Sequence, residues 1–202
     1  MNTVLVMCAI ALFVWAFTEA FAWPVIPDVA LASVVFLAPD HAAVLVVATV
    51  TGSVIGGVTA MAARRSGWRW PLPLVSEHMQ SRVATWLDRG PVGLMHQPLT
   101  GVPYKAFVVE GARRGFRALP WAWWTGVFRG ARMAVVGATM VLASNVVGHL
   151  ASPHAAEARI VVLVVGLVLF VIGWRITWLL WIRSESRSPA RTAGDTARTM
   201  RP

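Results

Sequence analysis

The first 18 residues carry no charged side chain, and Glu19 is the first break in that run. Residues 42–63 are again free of charge and end at Arg64-Arg65, a length that matches one bilayer crossing. Residues 119–148 are apolar but hold Arg129 and Arg132, and residues 160–182 are apolar with Arg175 near their end. These four stretches predict four transmembrane helices. Two further apolar pieces are too broken to span. Residues 21–39 contain Pro24, Pro27, Asp28 and Pro39, and residues 91–111 contain Pro98, Gly101, Pro103, Lys105 and Glu110. Proline removes a backbone donor, and lipid offers no replacement partner, so broken helix at depth survives only where protein or water covers it. Both pieces therefore read as re-entrant hairpins, with Pro24, Pro27, Pro98, Gly101 and Pro103 as their breakers.

Between the halves, Val75, Met79, Val83, Trp86 and Leu87 recur at helical spacing among polar neighbours. They predict an amphipathic surface helix over residues 74–89, lying either flat on the inner leaflet or against the protein's own cytoplasmic face. From Ser184 to the end almost nothing is apolar, and a disordered basic cytoplasmic tail is expected. The transmembrane domain is then residues 1–183 and the tail residues 184–202.

Composition agrees with this pattern. Apolar types make up 57% of the 202 residues and charged types 13%, which excludes an ordinary soluble enzyme and a disulfide-rich secreted module. Eighteen basic residues face nine acidic ones, and most of the Arg sit beside apolar spans. Positive-inside topology accounts for them without invoking nucleic acid. It places residues 64–89, Arg113, Arg114, Arg117 and the tail in the cytoplasm, and with four crossings the amino terminus as well. Ala20-Phe21-Ala22 resembles a signal-peptidase site, but no Lys or Arg precedes the apolar run, so cleavage is not expected.

Each half reads as a helix, a proline-broken hairpin and a full crossing, with the hairpins entering from opposite faces. The expected fold class is thus an all-α polytopic membrane protein with an inverted repeat, the pattern that marks a transporter's binding site. Six ionisable residues lie in or beside the apolar pieces: Glu19, Asp28, Lys105, Glu110, Arg129 and Arg132. At about 3 kcal/mol each in mid-membrane, they must pair or meet a water-filled cavity. The carboxylates of Glu19 and Asp28 are candidates for proton or ion coupling. Arg129, Arg132, Lys105 and Glu110 are candidates for a headgroup pocket, since Arg binds phosphate bidentately. Structural ion pairs that pin the hairpins are the competing explanation. Gly52 with Gly56 and Gly126 with Gly130 make small-residue faces for close helix contact. Trp121, Trp123 and Trp124 read as an interfacial anchor. No nucleophile elbow, zinc motif or phosphate-cradling glycine loop occurs, so no enzyme, cofactor or metal site is expected.

The runs Glu19-Ala-Phe-Ala-Trp-Pro-Val-Ile-Pro27-Asp28 and Pro98-Leu-Thr-Gly-Val-Pro-Tyr-Lys105, continuing to Glu110-Gly111, resemble the DedA family of VTT-domain, SNARE-associated Golgi-type membrane proteins. Gly126–Arg132 looks like the sequel in a smaller DedA-like branch. The resemblance covers roughly residues 15–150. It implies two opposed re-entrant hairpins and carriage of phosphate-headed lipid, undecaprenyl phosphate or phospholipid, or proton-linked transport supporting the envelope. It also implies a bacterial inner-membrane location and carries the family's acidic pair onto Glu19 and Asp28. Well-known members have two arginines in the second hairpin; here only Lys105 matches, which shifts the basic role toward Arg129 and Arg132. A proton-coupled exporter of small molecules or cations and a non-transporting scaffold, as a monomer or homodimer, remain open at this point.

Overall fold

The computed structural model describes residues 3–21, 27–69 and 76–185, and these residues form eight α-helices, two short 3-10 segments and no strand. The helices are α1 (Thr3–Glu19), α2 (Pro27–Leu37), α3 (Ala42–Arg65), α4 (Glu77–Leu87), α5 (Gln97–Thr100), α6 (Tyr104–Arg113), α7 (Ala118–Leu150) and α8 (Ala155–Glu185). The 3-10 segments are Pro39–His41 and Pro91–His96. Pro24 and the tail beyond residue 185 lie outside the described residues.

Three helices are long and apolar enough to cross a membrane: Pro39–Arg65, Ala118–Leu150 and Ala155–Gly173. The fourth expected crossing is shorter. At 17 residues α1 measures about 26 Å against a hydrocarbon core of about 30 Å, and α2 has only 11 residues.

The direction of α1 also differs from expectation. A Cβ at Gly52 would collide with the carbonyl oxygen of Phe13, and one at Gly56 with that of Phe17. Both contacts advance together along the two helices, so α1 and α3 run parallel, backbone against backbone. Across the other side of α3, Gly126 faces Val54, Gly130 faces Val50 and Gly137 faces Val46, so α7 runs antiparallel to α3. The amino end of α1 therefore lies with Pro39–His41 and the end of α7, on the face opposite Arg64 and Arg65. An amino terminus on the same side as those arginines is not what the chain adopts. The physical reason is that α1 holds no Lys or Arg to fix its direction, while the bare glycine face of α3 accepts it in this one.

With α1 parallel to α3, α1 and α2 become the two limbs of one helical hairpin. Leu12 of α1 and Leu31 and Val35 of α2 share a core with Leu45 and Met133. Pro27 opens α2, where the missing N–H is one that no helix bond would use, and Asp28 sits in the first turn. A second helical hairpin is made by Pro91–His96 and α5 as one limb and α6 as the other. Gly101 turns the chain between them at φ 68°, a left-handed conformation that suits glycine, and Pro103 then leads into α6. Tyr104 lies by Thr125 while Gly111 lies by Trp121, so α6 is antiparallel to α7. The second hairpin thus approaches from the opposite end of α3 and α7 to the first. Their tips meet beside Arg129 and Arg132.

Helix α4 begins on a Ser76 cap, whose hydroxyl accepts from the Met79 amide at 3.2 Å. Its apolar face is spent on the protein. Val83 and Leu87 are buried with Phe107 and Leu94, and Trp86 stacks on Phe107 and His96. Of the two placements open for this segment, the helix takes the one against its own chain. Helix α8 folds back from α7, with the Arg159 Nε donating to the Ser144 carbonyl at 3.3 Å, and exposes apolar side chains such as Val161, Val164 and Leu169 around its circumference.

Candidate functional site

Arg129 and Arg132 stand three residues apart on α7, on adjoining faces, and each meets a carboxylate from the first hairpin. Glu19, the last residue of α1, places Oε2 2.5 Å from a terminal guanidinium nitrogen of Arg129. Both side chains are buried. Arg132 holds its Nε 3.0 Å from Asp28 Oδ1, at the start of α2. That second contact is electrostatic only, because no N–H is aimed at the Asp28 oxygen. The Arg132 side chain is 30% exposed against 5% for Arg129, so the two pairs differ in access as well as in geometry. Arg132 also faces the Pro98 carbonyl at 3.5 Å, which links the tip of the second hairpin to the same point.

Tyr104 braces the inner pair. Its ring lies under the Arg129 guanidinium at 4.4 Å, a cation–π contact. Its hydroxyl receives the Trp121 indole N–H at 3.1 Å and shares a hydrogen bond with the Thr125 hydroxyl at 3.0 Å. The brace requires Gly57, since a Cβ there would strike the Tyr104 hydroxyl.

Lys105 completes the cluster. It is 2% exposed, lies within electrostatic reach of Glu19, and its ammonium has no hydrogen-bond partner among the described residues. Glu19 in turn feels Asp28 and Arg132 besides Arg129. The cluster therefore contains two acidic and three basic side chains, a formal excess of one positive charge. The Nε of Arg129 is a further buried donor with no partner.

Glu110 is not part of this cluster, contrary to its assignment as a headgroup residue. It sits at the far end of α6, at the base of the second hairpin. The Arg113 guanidinium grips it twice at 2.8 Å, and the Arg114 Nε donates to it at 2.6 Å. Arg114 also reaches Asp88 Oδ1 and the Ala84 carbonyl, both at 2.8 Å, tying the hairpin to α4. Burial pushes the Glu110 carboxyl up, but the hydrogen bonds from Arg113 and Arg114 outweigh it and hold the group below its usual range. Partners at i+3 and i+4 satisfy it locally, which is why it is not available to the centre.

Among the breakers, Pro27, Pro98, Gly101 and Pro103 all stand at helix starts or turns near the tips, as described above. Trp121, taken as an interfacial anchor, is fully buried and serves the Tyr104 hydroxyl, whereas Trp123 is exposed. Sequence reasoning missed Tyr104, Thr125 and Trp121 as members of the site. The one signal was that Tyr104 adjoins Lys105 in the proline-glycine motif. Among the described residues no group of three or more His, Cys, Asp or Glu could hold a metal ion. No protein-family model, curated protein or solved structure matches the chain.

Proposed function

We propose that this protein is a DedA-like integral membrane transporter that moves a phosphate-headed lipid, undecaprenyl phosphate or a phospholipid, across the bacterial inner membrane in envelope homeostasis. On this reading α3, α7 and α8 cross the bilayer, and the two helical hairpins are re-entrant. Each half is then a hairpin followed by a long crossing, related by inverted topology. The arginine-rich end, with Arg64, Arg65, Arg113, Arg114 and Arg117, faces the cytoplasm by the positive-inside rule. The amino end consequently faces outward, because α1 and α3 start on one side.

One observation carries the reading: charged side chains from both hairpin tips and from α7 converge in an otherwise apolar bundle, and one buried amine is left without a hydrogen-bond partner among the described residues. Ionisable groups at such a place cost several kcal/mol each, about 3 kcal/mol on the insertion scale, and are characteristic of substrate or ion pathways. A phosphate head would enter beside the more open Arg132, with Lys105 and Arg129 supplying further donors, while its chains stay in lipid. Glu19 and Asp28 are the groups through which a proton link would run. The positive excess speaks against export of small cations. No covalent chemistry is required of any residue.

The test is reconstitution in liposomes with fluorescent phospholipid and with a polyprenyl phosphate, with and without a pH gradient. Lys105→Ala and Arg132→Ala are expected to stop head-group movement in protein that still purifies as a monodisperse species. Undiminished movement by the folded double variant refutes the proposal.

A further inference from the structure

We infer that the cluster between the hairpin tips selects a head group bearing a single net negative charge, and that Lys105 is the residue that meets it. The inference deepens the lipid-carrier reading above and rests on it.

The charges facing the cluster come from every element packed around it. Among the described residues, α1 supplies Glu19, α2 supplies Asp28, α6 supplies Lys105 and the phenol of Tyr104, and α7 supplies Arg129 and Arg132. From α3 it is Gly57, which carries no charge, that lies against the Tyr104 hydroxyl. Two cations are matched by the two carboxylates at 2.5 and 3.0 Å. The third, Lys105, is more than nine-tenths buried and has nothing to donate to. A buried ammonium without a hydrogen-bond acceptor is unfavourable, and Glu19, its nearest compensation, is already engaged by Arg129.

The occupant that removes this imbalance has two features. It brings acceptor oxygens for Lys105 Nζ and the unpartnered Nε of Arg129, and it brings one negative charge. A phosphodiester head such as phosphatidylglycerol carries one charge throughout the neutral range. A zwitterionic head brings none. A phosphomonoester gains its second charge with a pKa of about 6, so at higher pH it would leave a net negative site in low dielectric. The same chemistry is offered by a free phosphate ion, so the two sources must be separated by experiment.

The full-length protein is placed in phosphatidylcholine nanodiscs, and binding of labelled phosphatidylglycerol and phosphatidic acid is measured from pH 5.5 to 8.5. Phosphatidylglycerol, whose own charge is fixed over this range, is expected to change affinity far less with pH than phosphatidic acid. Phosphatidic acid is expected to weaken about tenfold per pH unit above its second pKa. Lys105→Gln is expected to lower both affinities at least tenfold. Affinity for phosphatidic acid that rises or stays level with pH overturns the single-charge rule while leaving a lipid carrier standing. An undiminished Lys105→Gln variant overturns the assignment of that residue. Binding of neither anionic lipid above the phosphatidylcholine background overturns both the inference and the reading beneath it. Displacement by inorganic phosphate with the same pH profile upholds the charge rule and assigns the site to the free ion instead of a lipid.

Discussion

The Glu19–Arg129 pair is buried on both sides, and its two partners come from elements 110 residues apart in the chain. Replacing Arg129 with Met leaves the Glu19 carboxylate in an apolar interior with its principal hydrogen bond gone. Breaking a buried pair from one side costs about 3–5 kcal/mol, most of it the penalty of the charge left behind. The Glu19→Gln, Arg129→Met double variant removes that stranded charge. It is therefore expected to be more stable than Arg129→Met alone, with a coupling of about 2 kcal/mol or more between the two sites. Glu19→Gln by itself should be the milder single change, because the Arg129 guanidinium still lies over the Tyr104 ring. For a chain of this size 1 kcal/mol corresponds to about 2–4 °C, so Arg129→Met should lower the melting midpoint by about 6–20 °C in detergent. The midpoint can be followed by circular dichroism at 222 nm (roughly the helical minimum, the wavelength suited to an all-helical chain). Two results refute the reasoning: an Arg129→Met midpoint within about 2 °C of the parent, or a double variant whose loss equals the sum of the two single losses.

Two further outcomes follow from the packing of α1 and from the base of the second hairpin. In a Cys8→Ala background, Thr3→Cys and Asp40→Cys should react with an impermeant maleimide from one side of the membrane and Ser66→Cys from the other; labelling of Thr3→Cys together with Ser66→Cys rejects the parallel arrangement of α1 and α3. Because Arg113 and Arg114 hold the Glu110 carboxyl below its usual value of 4.5, its contribution to stability is complete above that pH and is lost as the pH falls through the lowered value. Glu110→Gln should thus reduce stability at pH 7 and make the acid loss shallower, and a stability–pH curve parallel to that of the parent rejects the role given to the pair.

The long helices were legible from run length alone. Residues 42–63, 119–148 and 160–182 became Ala42–Arg65, Ala118–Leu150 and Ala155–Glu185. The sequence did not disclose what the first apolar stretch does, because a run of that length serves equally as a crossing or as one limb of a hairpin. The choice depends on Gly52 and Gly56 meeting the backbone at Phe13 and Phe17, and a pairwise contact of that kind leaves no mark on either segment read singly. The same limit applies to the charges. That the ionisable residues must find partners was readable from their cost in lipid, and that Arg129 and Arg132 share a side of α7 was readable from their spacing. Which carboxylate each would take was not. Glu110 had its answer close by, in Arg113 and Arg114 at helical spacing, and local pairing there outweighed its apparent link to the motif around Lys105.

If the protein carries lipid as proposed, its two ion pairs divide the work between them. Glu19–Arg129 is sealed: it is hydrogen-bonded, braced from below by Tyr104, and surrounded by residues that fit only because position 57 is glycine. Its loss would release the tip of the first hairpin from α7, so it holds the tip in place. Asp28–Arg132 is looser, without an aligned hydrogen bond, and Arg132 keeps part of its side chain open and faces the Pro98 carbonyl of the opposing hairpin. An arginine held this weakly can exchange a carboxylate for a phosphate at little cost, since one charge-assisted contact replaces another. An arginine held as firmly as Arg129 cannot. If lipid is the substrate, the exchange therefore occurs at Arg132, and the sealed pair keeps the tip of the first hairpin on α7 while it happens.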